Sequence, residues 1–288
     1  MRIKPHVLRN GVRNWEEEAE RLRADGPVRA DVFAKITAAN PAHLGDFVTD
    51  AVPPTVGLTA GVAYTQNFDT LSNTAGSTTN NLAIDGWTLN ETGGGARDNE
   101  QYAVDTGGSN TGDTFSYGIA AATDRALGSL QSGTLISTFG AAFTNTSGAT
   151  ITSLLIDYDG EQWRISNTAA ARDDRLDFQI SFDATSLTTG TWTDVNELDF
   201  VNVIKTAASA GALDGNLDAN NIDITHTITS LAIANGATFW IRWVDLNASG
   251  ADDGLAIDNF SITATATPEP SALLLGGLGL LGLLRRRR

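Results

Sequence analysis

Between residues 64 and 264 the chain is a succession of short runs rich in Thr, Ile, Val and aromatic side chains, each closed by a turn cluster. Asn73-Thr74-Ala75-Gly76, the stretch Thr106 to Thr111 and Ser166-Asn167 are such clusters. The clearest run is Leu176-Asp177-Phe178-Gln179-Ile180-Ser181-Phe182, where every second side chain is apolar. A period of two turns one set of side chains into a core and the other toward water, which is the pattern of a half-buried strand. Thr150 to Tyr158, Asn221 to Ile233, Thr238 to Asp245 and Leu255 to Ala264 read the same way. No stretch among them keeps a helical period, so no helical crossovers are available to build a parallel sheet. The expectation is an all-β fold, a two-sheet jelly-roll sandwich.

The flanks differ in kind. Residues 1–50 carry 8 basic and 8 acidic side chains, with Asp25-Gly26-Pro27 as a breaker, and read as a short, charged helical segment. This segment has no basic start followed by an apolar run of seven or more residues, so it does not read as a secretory signal peptide. Residues 51–61 read as a linker, 62–264 as the sandwich and 265–288 as a separate tail. The run Val56 to Ala63, ending Gly-Val-Ala, is the stretch that would be a leader remnant.

Of the 288 residues, 51–267 hold 7 basic against 25 acidic side chains, a net charge of -18. Such a surface repels phosphate backbones, so nucleic acid is excluded as a partner, whereas cations and neutral sugars fit. The absence of cysteine excludes disulfides, thiolate metal sites and cysteine nucleophiles.

The tail has three parts in order: Pro268-Glu269-Pro270, fourteen uncharged residues from Ser271 to Leu284, and Arg285, Arg286, Arg287 and Arg288. As a helix the middle part spans about 21 Å, short of the ~30 Å hydrocarbon core. It suits transient membrane contact through 271–284, with the arginines held on the cytoplasmic side. This arrangement resembles the PEP-CTERM sorting signal of bacterial exosortase substrates. The resemblance implies an exported protein of the cell envelope, cell surface or extracellular matrix. It also implies an exosortase-type membrane protease as a partner.

Gly160-Glu161-Gln162-Trp163-Arg164, Phe239-Trp240-Ile241-Arg242-Trp243 and Asp252 to Phe260 resemble a jelly-roll module of bacterial exported proteins. More broadly, they are similar to carbohydrate-binding and lectin-like jelly rolls. That likeness implies a structural calcium shared by a carboxylate of the first strand and one of the last, here Asp69 and Asp258. Two converging carboxylates repel unless a hard cation lies between them. A second calcium candidate comes from alternate oxygen side chains at Asp245 and Asn247, followed by Asp252 and Asp253. Asp214-Gly215-Asn216-Leu217-Asp218-Ala219-Asn220 has similar spacing. Turn formation on an acidic surface accounts for the same residues without a metal.

For extracellular polysaccharide the candidate stacking side chains are Trp163 and Trp243. Trp240 and Trp243 fall on opposite faces of one strand, so one of them is expected in the core. Catalytic signals are sparse: His226 is the sandwich's one histidine, and no nucleophile elbow or phosphate loop is present. Glu197-Leu198-Asp199-Phe200-Val201-Asn202 resembles the nucleophile motif of laminarinase-type glycosidases, with positions 197, 199 and 201 expected on one strand face. The second glutamate is replaced by Asn202, which cannot act as acid/base, so the chain reads as non-enzymatic. The alternatives are a carbohydrate-binding module of a degradative system and a degenerate glycosidase.

Overall fold

A computed structural model of the chain describes residues 54–166 and 171–267. The expected helical segment at 1–50, Pro268-Glu269-Pro270, the apolar run 271–284 and Arg285 to Arg288 lie outside the described residues.

Among the described residues fifteen strands follow one another. They are β1 (Val56–Leu58), β2 (Tyr64–Gln66), β3 (Trp87–Thr92), β4 (Ala103–Asp105), β5 (Asp113–Tyr117), β6 (Ala126–Leu130), β7 (Ile136–Asn145) and β8 (Thr150–Ile165). They continue as β9 (Arg175–Ser181), β10 (Thr193–Asp194), β11 (Phe200–Val201), β12 (Gly211–Ala212), β13 (Asn221–Ile228), β14 (Thr238–Leu246) and β15 (Gly254–Thr267). Sheet A runs β1-β7-β14-β9-β10, with β3 also on β7 and β11 also on β9. Sheet B runs β12-β8-β15-β6-β5-β4, with β13 on β8 and β2 on β15. The chain crosses repeatedly between two mostly antiparallel sheets, and this is a jelly-roll sandwich.

Alternation decides which side chains enter the core. Phe239, Ile241 and Trp243 of β14 point into it, as do Leu176, Phe178 and Ile180 of β9 and Ile156 and Tyr158 of β8. Trp243 stands at the centre, edge-on to Tyr158, Phe178 and Phe260 at ring-centroid separations of 5.1–5.8 Å. Edge-to-face contacts of this kind add stability beyond the area they bury.

Three expectations need correction. The linker at 51–61 contains β1, which pairs in parallel with Phe143 to Asn145 and buries Leu58. Val56–Leu58 therefore belongs to the folded body. The four apolar positions of Leu176 to Phe182 do not all face inward, because the strand ends at Ser181 and Phe182 is exposed. The strand expected at 197–201 is instead a 3₁₀ turn over Asn196–Leu198. A period of three there leaves Glu197 exposed while Leu198 fills the core, so positions 197 and 199 do not share a strand face.

Candidate ligand and cation sites

On the outward face of sheet B, β15 and β8 place Asp258 opposite Asp159 and Ala256 opposite Glu161. Asp258 and Glu161 are thus close neighbours on one face, and both are buried. Glu161 accepts a hydrogen bond from Trp163 Nε1 at 2.8 Å. Asp258 Oδ1 is buried without any hydrogen-bond partner. Burial, then the charge of Glu161, raises the Asp258 carboxyl to about 8, with Asp124 and Asp69 adding to the effect. Burial likewise lifts Glu161 to about 7, against the Trp163 hydrogen bond that lowers it.

Asp69 reaches the rim of this cluster. The turn before it puts Phe68 at a φ of 54° and seats its ring in the core, 4.8 Å from Trp87. Asp69 itself stays exposed, accepting from Asn67 Nδ2 at 2.6 Å and from the Arg125 N–H at 3.3 Å. The Arg125 guanidinium does not neutralise the cluster, because it donates to Ser116 and to backbone carbonyls. Several carboxylates therefore share one patch, where each disfavours the ionisation of Asp258.

The second sequence candidate does not assemble as a loop. Asp245 turns inward from β14, whereas Asn247 is exposed. Asp252 Oδ1 accepts the Ala248 N–H at 2.7 Å. Asp253 accepts from the Ser166 N–H at 2.7 Å, Asn202 Nδ2 at 2.8 Å and Gln162 Nε2 at 3.0 Å. Asp252 and Asp253 are thus fastened as structural acceptors. In the 214–218 loop, Asp214 Oδ1 accepts the Asn216 N–H at 3.2 Å, an ordinary turn contact. Among the described residues, no three acidic or histidine side chains form a metal-binding group.

Trp163 and Trp243 offer no face to a ligand. Trp243 is in the central core, and Trp163 is stacked on Tyr117 at 6.0 Å beneath Gly215. Trp240, on the opposite face from Trp243, is buried too, under Ala184 and Leu187. The loop after β9 covers what alternation alone would leave exposed. Trp192, in that loop, is the one half-buried tryptophan among the described residues.

Trp192 borders a polar row across sheet A. Strand register aligns Thr88, Gly140, Arg242, Gln179 and Asp194 from β3 to β10. The Arg242 guanidinium lies 3.9 Å from the Trp192 ring centroid, and Arg242 Nε donates to Gln179 Oε1 at 2.7 Å. Gln179 Nε2 donates onward to Asp194 Oδ1 at 2.6 Å and Asp177 Oδ2 at 3.0 Å. Gly140 keeps the centre of the row low, since a Cβ there would lie 2.1 Å from the Ile241 carbonyl oxygen. This arrangement offers donors and acceptors in fixed positions beside an aromatic edge, the chemistry that engages sugar hydroxyls.

At the glycosidase-like segment Glu197 is exposed on the 3₁₀ turn. Asp199 accepts the Phe178 N–H at 2.9 Å and pairs with Arg175 at 3.3 Å, and Asn202 is buried against Asp253. His226 sits on the edge strand β13 opposite Ile156.

Residues 266–288 match the PEP-CTERM protein-sorting motif. The chain carries an export and sorting signal of the cell envelope. No curated protein matches the chain. Among solved structures, the CBM22-1 xylan-binding domain of Paenibacillus barcinonensis Xyn10C is 10% identical, covering 73% of this chain and 98% of that one with a TM-score of 0.33. The active domain of bacteriophage CBA120 tailspike protein 4 is 12% identical over 67% of this chain and 21% of that one, with a TM-score of 0.32. The CBM22-1-GH10 modules of the Clostridium thermocellum xylanase 10B are 10% identical over 67% and 28%, with a TM-score of 0.29. The strand order and register described above define the fold. Among the described residues no helix is long and apolar enough to cross a membrane, and the 271–284 run lies outside them.

Proposed function

We propose that this chain is a non-enzymatic, exosortase-processed surface protein whose jelly roll binds extracellular polysaccharide on the outer face of sheet A. The observation that carries the reading is the aligned row Thr88, Gly140, Arg242, Gln179 and Asp194 beside the half-buried Trp192. Arg242 keeps guanidinium N–H donors beyond those given to Gln179 and Leu187, Asp194 presents acceptors, and the Trp192 edge supplies apolar contact for a pyranose face. An acidic surface disfavours polyanionic glycans, so the fitting class is a neutral polysaccharide.

A calcium ion at Glu161 and Asp258 braces the opposite sheet in this proposal. The orphaned, buried Asp258 Oδ1 supports it, since a hard cation both supplies the missing partner and removes the repulsion. With two close carboxylates and Asp69 and Asp124 at the rim, backbone carbonyls and water complete the coordination. In this reading the sorting tail is cleaved by the exosortase after the Arg cluster has held it at the membrane.

The test is retention of the full chain in affinity electrophoresis through neutral polysaccharides, in parallel with Trp192→Ala. The proposal expects retardation by at least one glycan and its loss in the variant. Equal migration of both proteins through every glycan overturns it, and release of reducing sugar would replace it with a hydrolase.

A further inference from the structure

Past Trp243, the inward face of β14 continues to Asp245, at the end of the sandwich core. Past Leu127, the inward face of β6 in the other sheet continues to Ser129, and Gln131 follows just beyond the strand. Asp245 is 1% exposed, Ser129 0% and Gln131 5%. Four of their oxygens, Asp245 Oδ1 and Oδ2, Ser129 Oγ and Gln131 Oε1, are buried with no hydrogen-bond partner. Burial, then the charge of Asp174, holds the Asp245 carboxyl well above its ordinary value, against the easing effect of the nearby Ser129 side chain and Gln131 backbone N–H, and neither of these closes into a hydrogen bond.

Buried polar atoms are nearly always paired, and each one left over forfeits its hydration without compensation. Four unpaired oxygens buried at the same end of the two sheets are therefore not a packing accident. A hydrogen-bond donor from the protein would remedy one or two of them. Thr114 bonds Glu91 and Ser137, and the terminal nitrogens of Arg172 pair with Asp174 and Asp253, while Arg172 Nε and Trp243 Nε1 are buried donors that close no hydrogen bond to these oxygens.

We infer that Asp245, Ser129 and Gln131 form a second calcium site, enclosed between the sheets and separate from Glu161 and Asp258. A carboxylate, a hydroxyl and an amide oxygen are the oxygen ligands that calcium accepts in irregular geometry. Magnesium requires near-ideal octahedral coordination and retains its waters, so this enclosed set selects against it. The ion also offsets the repulsion of Asp245 by Asp174 and Asp252, which stand in the same acidic neighbourhood.

Chelator-stripped full chain is dialysed against calcium and its metal content measured by mass spectrometry, at physiological salt so that loose surface association is screened. The expected content is two ions per chain, falling to one in Asp245→Asn and to one in Asp258→Asn. Ser129→Ala, which leaves the carboxylates in place, loses the same ion as Asp245→Asn. One ion in the parent, with Asp258→Asn holding none, overturns the Asp245 site and keeps the outer one. One ion retained in Asp258→Asn but lost in Asp245→Asn overturns the outer site alone. Should Asp245→Asn fail to fold, the parent count and Ser129→Ala decide. Unchanged content in Ser129→Ala with a one-ion parent identifies Asp245 as a neutral buried acid.

Discussion

Glu161 on β8 is the strongest charge acting on Asp258 of β15, and the two buried carboxyls share the outer face of sheet B. A pair of this kind holds its protons in the folded protein far more tightly than in the unfolded chain, where carboxyls titrate near their ordinary values.

The metal-free protein should therefore lose stability as pH rises. Glu161 and Asp258 are raised to about 7 and about 8 in the folded state, so between about pH 4 and 8 the native state binds more protons than the unfolded one. The slope of unfolding free energy against pH is then negative, and the stabilisation present below pH 4 is lost as pH passes through the folded values. Melting in EDTA at a series of pH values checks this. The expected contribution of these groups is a falling Tm from pH 5.5 to 8.5 that saturating calcium flattens, and Asp258→Asn should reduce the fall.

Trp163 and Trp192 should separate stability from binding. Trp163→Ala opens a cavity under Gly215 and removes the donor to Glu161, with an expected cost of about 3–5 kcal/mol in chemical denaturation. Trp192→Ala should cost far less stability and weaken polysaccharide binding about tenfold. Binding isotherms and denaturation curves on both variants test the contrast.

Asp253→Ala should destabilise without touching the outer calcium site. It strands the Ser166 N–H, takes one acceptor each from Asn202 Nδ2 and Gln162 Nε2 and leaves Arg172 with one fewer acid, at an expected cost of about 3 kcal/mol. The calcium-induced rise in Tm at Glu161 and Asp258 should persist in that variant.

How far the sequence discloses all this follows from what alternation encodes. The strands containing Leu176, Ile156, Trp243 and Leu255 are legible because a period of two records a buried face. Alternation says nothing about what loops cover. Trp243 reads as a stacking candidate although its strand face is the core one, Trp240 on the opposite face is covered by the loop carrying Ala184 and Leu187, and Trp192 has no periodic signal at all. Asp258 is legible beside Asp69 through the likeness to other jelly rolls, but Glu161 emerges only from cross-strand register. Spacing places Asp245 in a loop with Asn247, although the strand carries it inward. The segment at Glu197 misleads for a related reason, since two residues of apparent alternation fit a 3₁₀ turn equally well.

The most direct test of the calcium-braced sandwich is a thermal melt of the full chain in excess EDTA and in saturating calcium, with Asp258→Asn alongside. At a hundred times its dissociation constant, a native-state ligand adds about 2.7 kcal/mol. For a domain of this size that raises Tm by roughly 5 to 10 °C. The account predicts such a rise in the parent and a clearly smaller one in Asp258→Asn. Identical melts in EDTA and calcium would contradict it, and would leave Asp258 as a buried neutral acid in an otherwise unbraced sheet.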